Sequence, residues 1–200
     1  MFNCNITAQD LILQLREETD IAYPVTDASY IIWLNAIEQL LYGEIIREQK
    51  RFILKVPNDS VIDFSVIEPD AGEDAIRFED IHTIYADDTQ LIKSTVASGV
   101  IFPNTFYKTH NKLGLNLDKK VDELTIIYFA RPVLKTEDNI EREFIRVPAE
   151  FIELIRAKLR GEAYKLANED ELAAKWLNDY NVLLENFKVW ISEKSPDLGM

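Results

Sequence analysis

Apolar positions recur along this chain at two periods, and the period changes twice: helical first, then strand-like, then helical again. Thr7-Ala-Gln-Asp10 reads as a helix N-cap, with Leu11, Ile12 and Leu15 on one face and an end near Thr19. Pro24 imposes an extended approach to a second, longer helix capped by Thr26 or Asp27. In that helix Tyr30, Ile31, Trp33, Leu34, Ile37, Leu40, Leu41 and Ile45 cover more than one face, which predicts burial on most sides or sharing with a partner.

From Arg51 the runs become short and rich in β-branched and aromatic residues. Residues 51–56, 61–67, 81–85, 90–96, 106–109, 113–117 and 124–130 are predicted strands. Turn residues separate them, among them Pro57-Asn-Asp and Asp87-Asp88, and His110-Asn111-Lys112 joins a hairpin. The expectation is a mostly antiparallel sheet of five to seven strands. Residues 136–146 are polar and predict a surface linker. Pro148 then opens a helix with the stripe Phe151, Ile155, Leu159, Ala163 and Leu166. Asn168-Glu-Asp-Glu171 reads as the cap of a last helix striped by Leu172, Trp176, Tyr180, Leu183, Phe187 and Trp190/Ile191. So short a join makes the last two helices an antiparallel hairpin.

The predicted class is therefore α+β. Two N-terminal helices in residues 1–50 and a C-terminal hairpin with tail in 136–200 form a helical bundle, and 51–135 is an inserted β-rich region. Composition is that of an ordinary globular chain, 47% apolar and 28% charged. The lone cysteine, Cys4, excludes an intrachain disulfide and fits a reducing cytoplasm. No apolar run reaches the roughly 18 residues of a membrane span, and no signal-peptide core opens the chain.

Net charge is −13, with local excesses of −5, −3 and −5 in residues 1–50, 51–135 and 136–200. An acidic surface without a block of cations repels a phosphate backbone, so direct DNA grip is not expected. The glycines are too scattered for a phosphate loop. One cysteine and two distant histidines, His82 and His110, give no zinc pattern, and nothing resembles a nucleophile elbow. Residues 68–80, with Glu68, Asp70, Glu73, Asp74, Glu79 and Asp80, could hold a hard cation, but they lack the spacing of a calcium loop, and a solvated loop between strands is the favoured reading. Trp33, Trp176 and Trp190 could line a ligand pocket, although their helical spacing points to packing. The expectations are no catalytic residue, no cofactor and no metal. Surface for association is expected instead at Trp33, Ile37, Leu41, Phe187, Trp190, Ile191 and Leu198.

Three runs carry a family resemblance. Thr26-Asp-Ala-Ser-Tyr-Ile-Ile-Trp-Leu-Asn-Ala36 resembles the start of the long second helix of phage head-to-tail connector adaptors. Leu124-Thr-Ile-Ile-Tyr-Phe-Ala-Arg-Pro132 is similar to their final strand, and Val147-Pro-Ala-Glu-Phe-Ile-Glu-Leu154 to the opening of their third helix. Tyr180-Asn-Val-Leu183 stands where their last helix carries a similar stripe. With the order of elements, the likeness spans most of residues 5–190; the long middle region departs from compact members. The resemblance implies a non-enzymatic structural virion protein of the neck, made in the host bacterial cytoplasm. It would form an oligomeric ring, usually a dodecamer, docked on the portal protein and followed by downstream tail or neck proteins. DNA would pass through its channel without specific binding, and no membrane is involved. Other readings are a different neck or tail-completion ring protein, an acidic DNA-mimic inhibitor, and an enzyme using the 68–80 carboxylates with a metal.

Overall fold

The computed structural model describes residues 2–19, 25–55, 61–64, 67, 73–94, 102–110 and 112–194. The expected Pro24 approach, the Pro57 turn, residues 68–72 of the acidic stretch, Asn111, Leu198 and the rest of the terminal tail lie outside them. The fold is mixed α+β and divides into two compact units, Met1–Arg47 with Pro132–Met200, and Glu48–Arg131.

The first unit is helical. Helix α1 (Ala8–Glu18) starts at Thr7, whose hydroxyl oxygen accepts the Asp10 N–H at 3.1 Å. Helix α2 (Asp27–Leu40) starts at Thr26, which accepts the Ser29 N–H at 3.2 Å. Both caps satisfy donors that the first helical turn leaves open. After Leu40 the chain widens into a π-helical segment, Leu41–Ile46, where a continuous α-helix was expected to Ile45. The wider turn brings positions five apart into line, so Leu41 and Ile46 are both buried. Arg47 closes it in the left-handed region at φ 45°, its N–H on the Tyr42 carbonyl.

Helix α3 (Ile152–Leu166) follows a 3₁₀ turn, Ala149–Phe151, that begins behind Pro148. It ends with Asn168 at φ 61°, Asn168 N–H on Lys165 O and Glu169 N–H on Tyr164 O. That pair of bonds is a Schellman motif. Asn168 therefore finishes α3 and does not cap the next helix, because its short amide side chain tolerates the left-handed conformation. Helix α4 (Asp170–Lys194) returns antiparallel to α3: Gly161 faces Leu177, Arg160 lies over the Trp176 ring, and Phe151 meets Phe187. A Cβ on Gly161 would come within 2.8 Å of the Leu177 side chain, so the close approach needs glycine.

Two expected stripes are trimmed at the connection between α3 and α4. Leu166 and Leu172 sit beside that turn and are exposed. The supposed surface linker is also corrected. Ile140 and Ile145 are buried and Phe144 is half-buried, Ile145 exchanges backbone bonds with Cys4 and Ile6, and Thr7 bridges Phe144. Three apolar side chains among charged neighbours are enough to draw this segment into the helical core.

The second unit is a curled seven-stranded sheet in the order β1-β7-β3-β4-β5-β6-β2. Its strands are β1 (Gln49–Lys55), β2 (Val61–Asp63), β3 (Ile81–Ala86), β4 (Thr89–Ser94), β5 (Thr105–Thr109), β6 (Lys112–Asn116) and β7 (Glu123–Phe129). Every neighbouring pair is antiparallel except β4–β5, which is parallel. Alternating burial in β7 places Leu124, Ile126 and Tyr128 inward, with Ile127 and Phe129 half-buried on the other face. The strand expected over 61–67 stops at Asp63. Ile67 N–H donates to the Phe64 carbonyl at 3.1 Å.

Candidate interaction surface

Within the helical unit, the side chains singled out for association divide by burial. Ile37, Leu41, Phe187 and Ile191 are buried inside the unit's own core, whereas Trp33 and Trp190 are half-buried against it. Trp190 belongs to an aromatic cluster with Phe2, Phe151 and Phe187, at centroid distances of 5.8, 5.4 and 6.2 Å. Trp33 packs edge-on to Tyr30 at 5.7 Å, and Trp176 lies under the Arg160 guanidinium at 4.5 Å. Each tryptophan therefore has a different set of neighbours and packs against the core, as their helical spacing suggested.

The outer surface of these helices keeps large apolar side chains in water. Ile32 on α2 is 65% exposed, and Val182 and Val189 on α4 are 55% and 57% exposed. The two valines are seven residues apart and share one face, opposite Tyr180, Phe187 and Ile191. Leu13 on α1 and Leu166 on α3 are exposed as well. A sequence pattern marks such positions only as interruptions of a polar face. Beside α4 lies an open cleft of 340 Å³ lined by Glu44, Ile45, Ile46, Arg47, Lys188, Ile191 and Ser192, with Lys188 paired to Glu185 at 2.7 Å.

Sequence reasoning did not foresee the polar core of the same unit. Glu38 and Lys135, 97 residues apart, form an ion pair with side-chain exposures of 1% and 0%. The second Glu38 oxygen accepts the Arg146 N–H at 2.8 Å, and Asn35 exchanges two 2.8 Å bonds with the Lys135 backbone. Gln39 reaches the Pro132 carbonyl at 3.1 Å. Three polar positions of α2 thus hold the segment that follows the sheet. Burial pushes the Glu38 carboxyl above the usual carboxylate range, against the opposing pull of the Lys135 ammonium. Burial also raises the Cys4 thiol, which disfavours its reactive thiolate.

In the sheet unit the described carboxylates of the 68–80 stretch each have a cation. Glu73 sits on Lys50 at 2.6 Å and accepts from the Tyr128 hydroxyl at 2.9 Å. Asp80 meets Arg131 at 2.5 Å, Asp74 meets Arg77 at 2.6 Å, and Glu79 meets Lys108 at 2.7 Å. The Lys108 ammonium hydrogen-bonded to Glu79 holds that carboxyl below its usual range. Among the described residues no three His, Cys, Asp or Glu side chains converge as a metal site would require. His82 stands at a β-bulge in β3 with its ring 5.4 Å from Phe129, and His110 occupies the β5–β6 turn at φ 54°. No helix among the described residues is long and apolar enough to cross a membrane. Neither a protein-family model nor a curated protein matches the chain.

Proposed function

We propose that the chain is a structural subunit of a ring in a tailed-phage neck, an adaptor that docks on the portal and continues its DNA channel. The observation that carries this reading is the surplus of apolar side chains on the helical unit. Tyr180, Phe187 and Ile191 already fill the core side of α4, yet Val182 and Val189 on its far side, and Ile32 on α2, remain in water. Val182 and Val189 share one face of α4; apolar exposure repeated along a face marks a protein contact, and a repeated subunit supplies one at every ring interface. The three sequence runs resembling connector adaptors support the same reading, as does their order along the chain.

In this role the four helices act as a bundle that packs subunit to subunit and meets the portal, and the sheet unit contacts its neighbours in the neck. The net charge of −13 serves the channel, where a negative wall repels DNA and lets it slide. Light scattering after size exclusion tests the assignment, on the chain alone and mixed with the portal from the same genome. A ring-sized species, or co-elution with the portal, is the expected result. A monomer or dimer that ignores the portal would refute it.

A further inference from the structure

Strand β1, Gln49-Lys-Arg-Phe-Ile-Leu-Lys55, stands at one end of the sheet order and pairs only with β7 among the described residues. Its register and one bond fix which backbone groups face outward. Ala130 N–H donates to the Glu48 carbonyl at 2.9 Å, which continues the Gln49↔Phe129 register into a hydrogen-bonded pair. Hydrogen-bonded pairs alternate in an antiparallel ladder, so Lys50, Phe52 and Leu54 turn their amides to β7. The N–H and C=O groups of Gln49, Arg51, Ile53 and Lys55 point the other way, and all four residues are exposed, Ile53 by 50%.

An open edge seven residues long is a template for another strand. Its side chains say which strand. Three cations and no acid stand within β1, in a chain whose net charge is −13. Lys50 is partnered by Glu73 within the sheet unit, and Arg51 touches the Thr125 hydroxyl at 3.3 Å. A second copy's β1 in a register that sets Arg51 against Arg51 or Lys55 would bring cation against cation, which is unfavourable for directly opposed strand residues. The same charges favour an acidic segment.

We infer that the open edge of β1 binds an extended acidic segment of a partner polypeptide by strand addition. Cross-strand neighbours set its pattern: acids beside Arg51 and Lys55, with three apolar or β-branched residues between them beside Phe52, Ile53 and Leu54. The inference stands apart from the ring assignment, because it rests on the sheet unit alone.

The probe is a blocked peptide, Thr-Glu-Val-Thr-Val-Glu-Thr, titrated into the full chain, with affinity read by calorimetry and amide exchange by NMR. At saturation, exchange at Gln49, Arg51, Ile53 and Lys55 slows at least tenfold, while Lys50, Phe52 and Leu54 keep their existing protection. Arg51→Gln with Lys55→Gln weakens binding at least fivefold, and a peptide with Lys in place of Glu does not bind. Ile53→Pro removes one outward N–H without touching the β7 ladder, and it weakens binding while circular dichroism stays unchanged. Absence of binding, equal binding of the Lys peptide, or slowed exchange elsewhere would overturn the inference. So would concentration-dependent slowing at β1 without peptide, which would make a second copy the occupant.

Discussion

The helical and sheet units treat charge in opposite ways. In the helical unit one pair, Glu38 with Lys135, is taken fully out of water, with Glu38 also accepting the Arg146 N–H and Asn35 holding the Lys135 backbone. In the sheet unit two acids are buried but their cations are not: Glu73 and Asp80 sit inward, and Lys50 and Arg131 stay about a quarter exposed. A buried pair repays its desolvation only when every polar atom finds a partner, and removing one member strands the other. A cation that still reaches water loses much less when its partner goes. The helical unit is therefore the one in which a single charge substitution matters most.

Breaking the buried pair sharpens this contrast most. Glu38→Ala is expected to lower the stability of the helical unit by about 3–5 kcal/mol, since Lys135 is left charged and buried. Glu38→Leu combined with Lys135→Met should recover most of that loss; chemical denaturation measures both. Gly161→Val should cost about 1–3 kcal/mol by the same method, because the new side chain overlaps Leu177 where α3 and α4 approach. Asp80→Asn in the sheet unit should cost only about 1 kcal/mol, the Arg131 guanidinium turning to solvent. A loss there as large as that of Glu38→Ala would erase the distinction between the units.

The smallest effect is a pH dependence. The folded state raises the Glu38 pKa above its unfolded value, so the folded chain holds this proton more tightly. The resulting stability is present below the unfolded pKa and is lost as pH rises through the folded one. Glu38→Gln should remove this part of the slope in a series of melts across that range, while Asp80→Asn should leave it in place.

Local pattern was enough where a residue's role depends on near neighbours. Thr7 and Thr26 cap their helices as the spacing of polar and apolar residues predicts, and the strand read over 124–130 is β7, Glu123–Phe129. It failed where the partner is remote. Glu38 looks like any helical surface acid until Lys135, 97 residues on, is placed against it. Residues 136–146 look like a polar linker because three apolar side chains among them make no period. The π turn at Leu41–Ile46 leaves the apolar pattern nearly unchanged while shifting which residues face inward. Periodicity likewise predicts that Ile37, Leu41, Phe187 and Ile191 are buried, but not whether their own chain or a neighbour covers them. Their own chain does. The candidate contact surface thus moves to Ile32, Val182 and Val189, where the sequence gives the weakest signal.

The most direct test of an assembling helical surface is hydrogen exchange of the chain alone and bound to the portal. Exchange along α4 from Val182 to Val189 is expected to slow in the complex. A complex that forms with no change anywhere in the helical unit would contradict it.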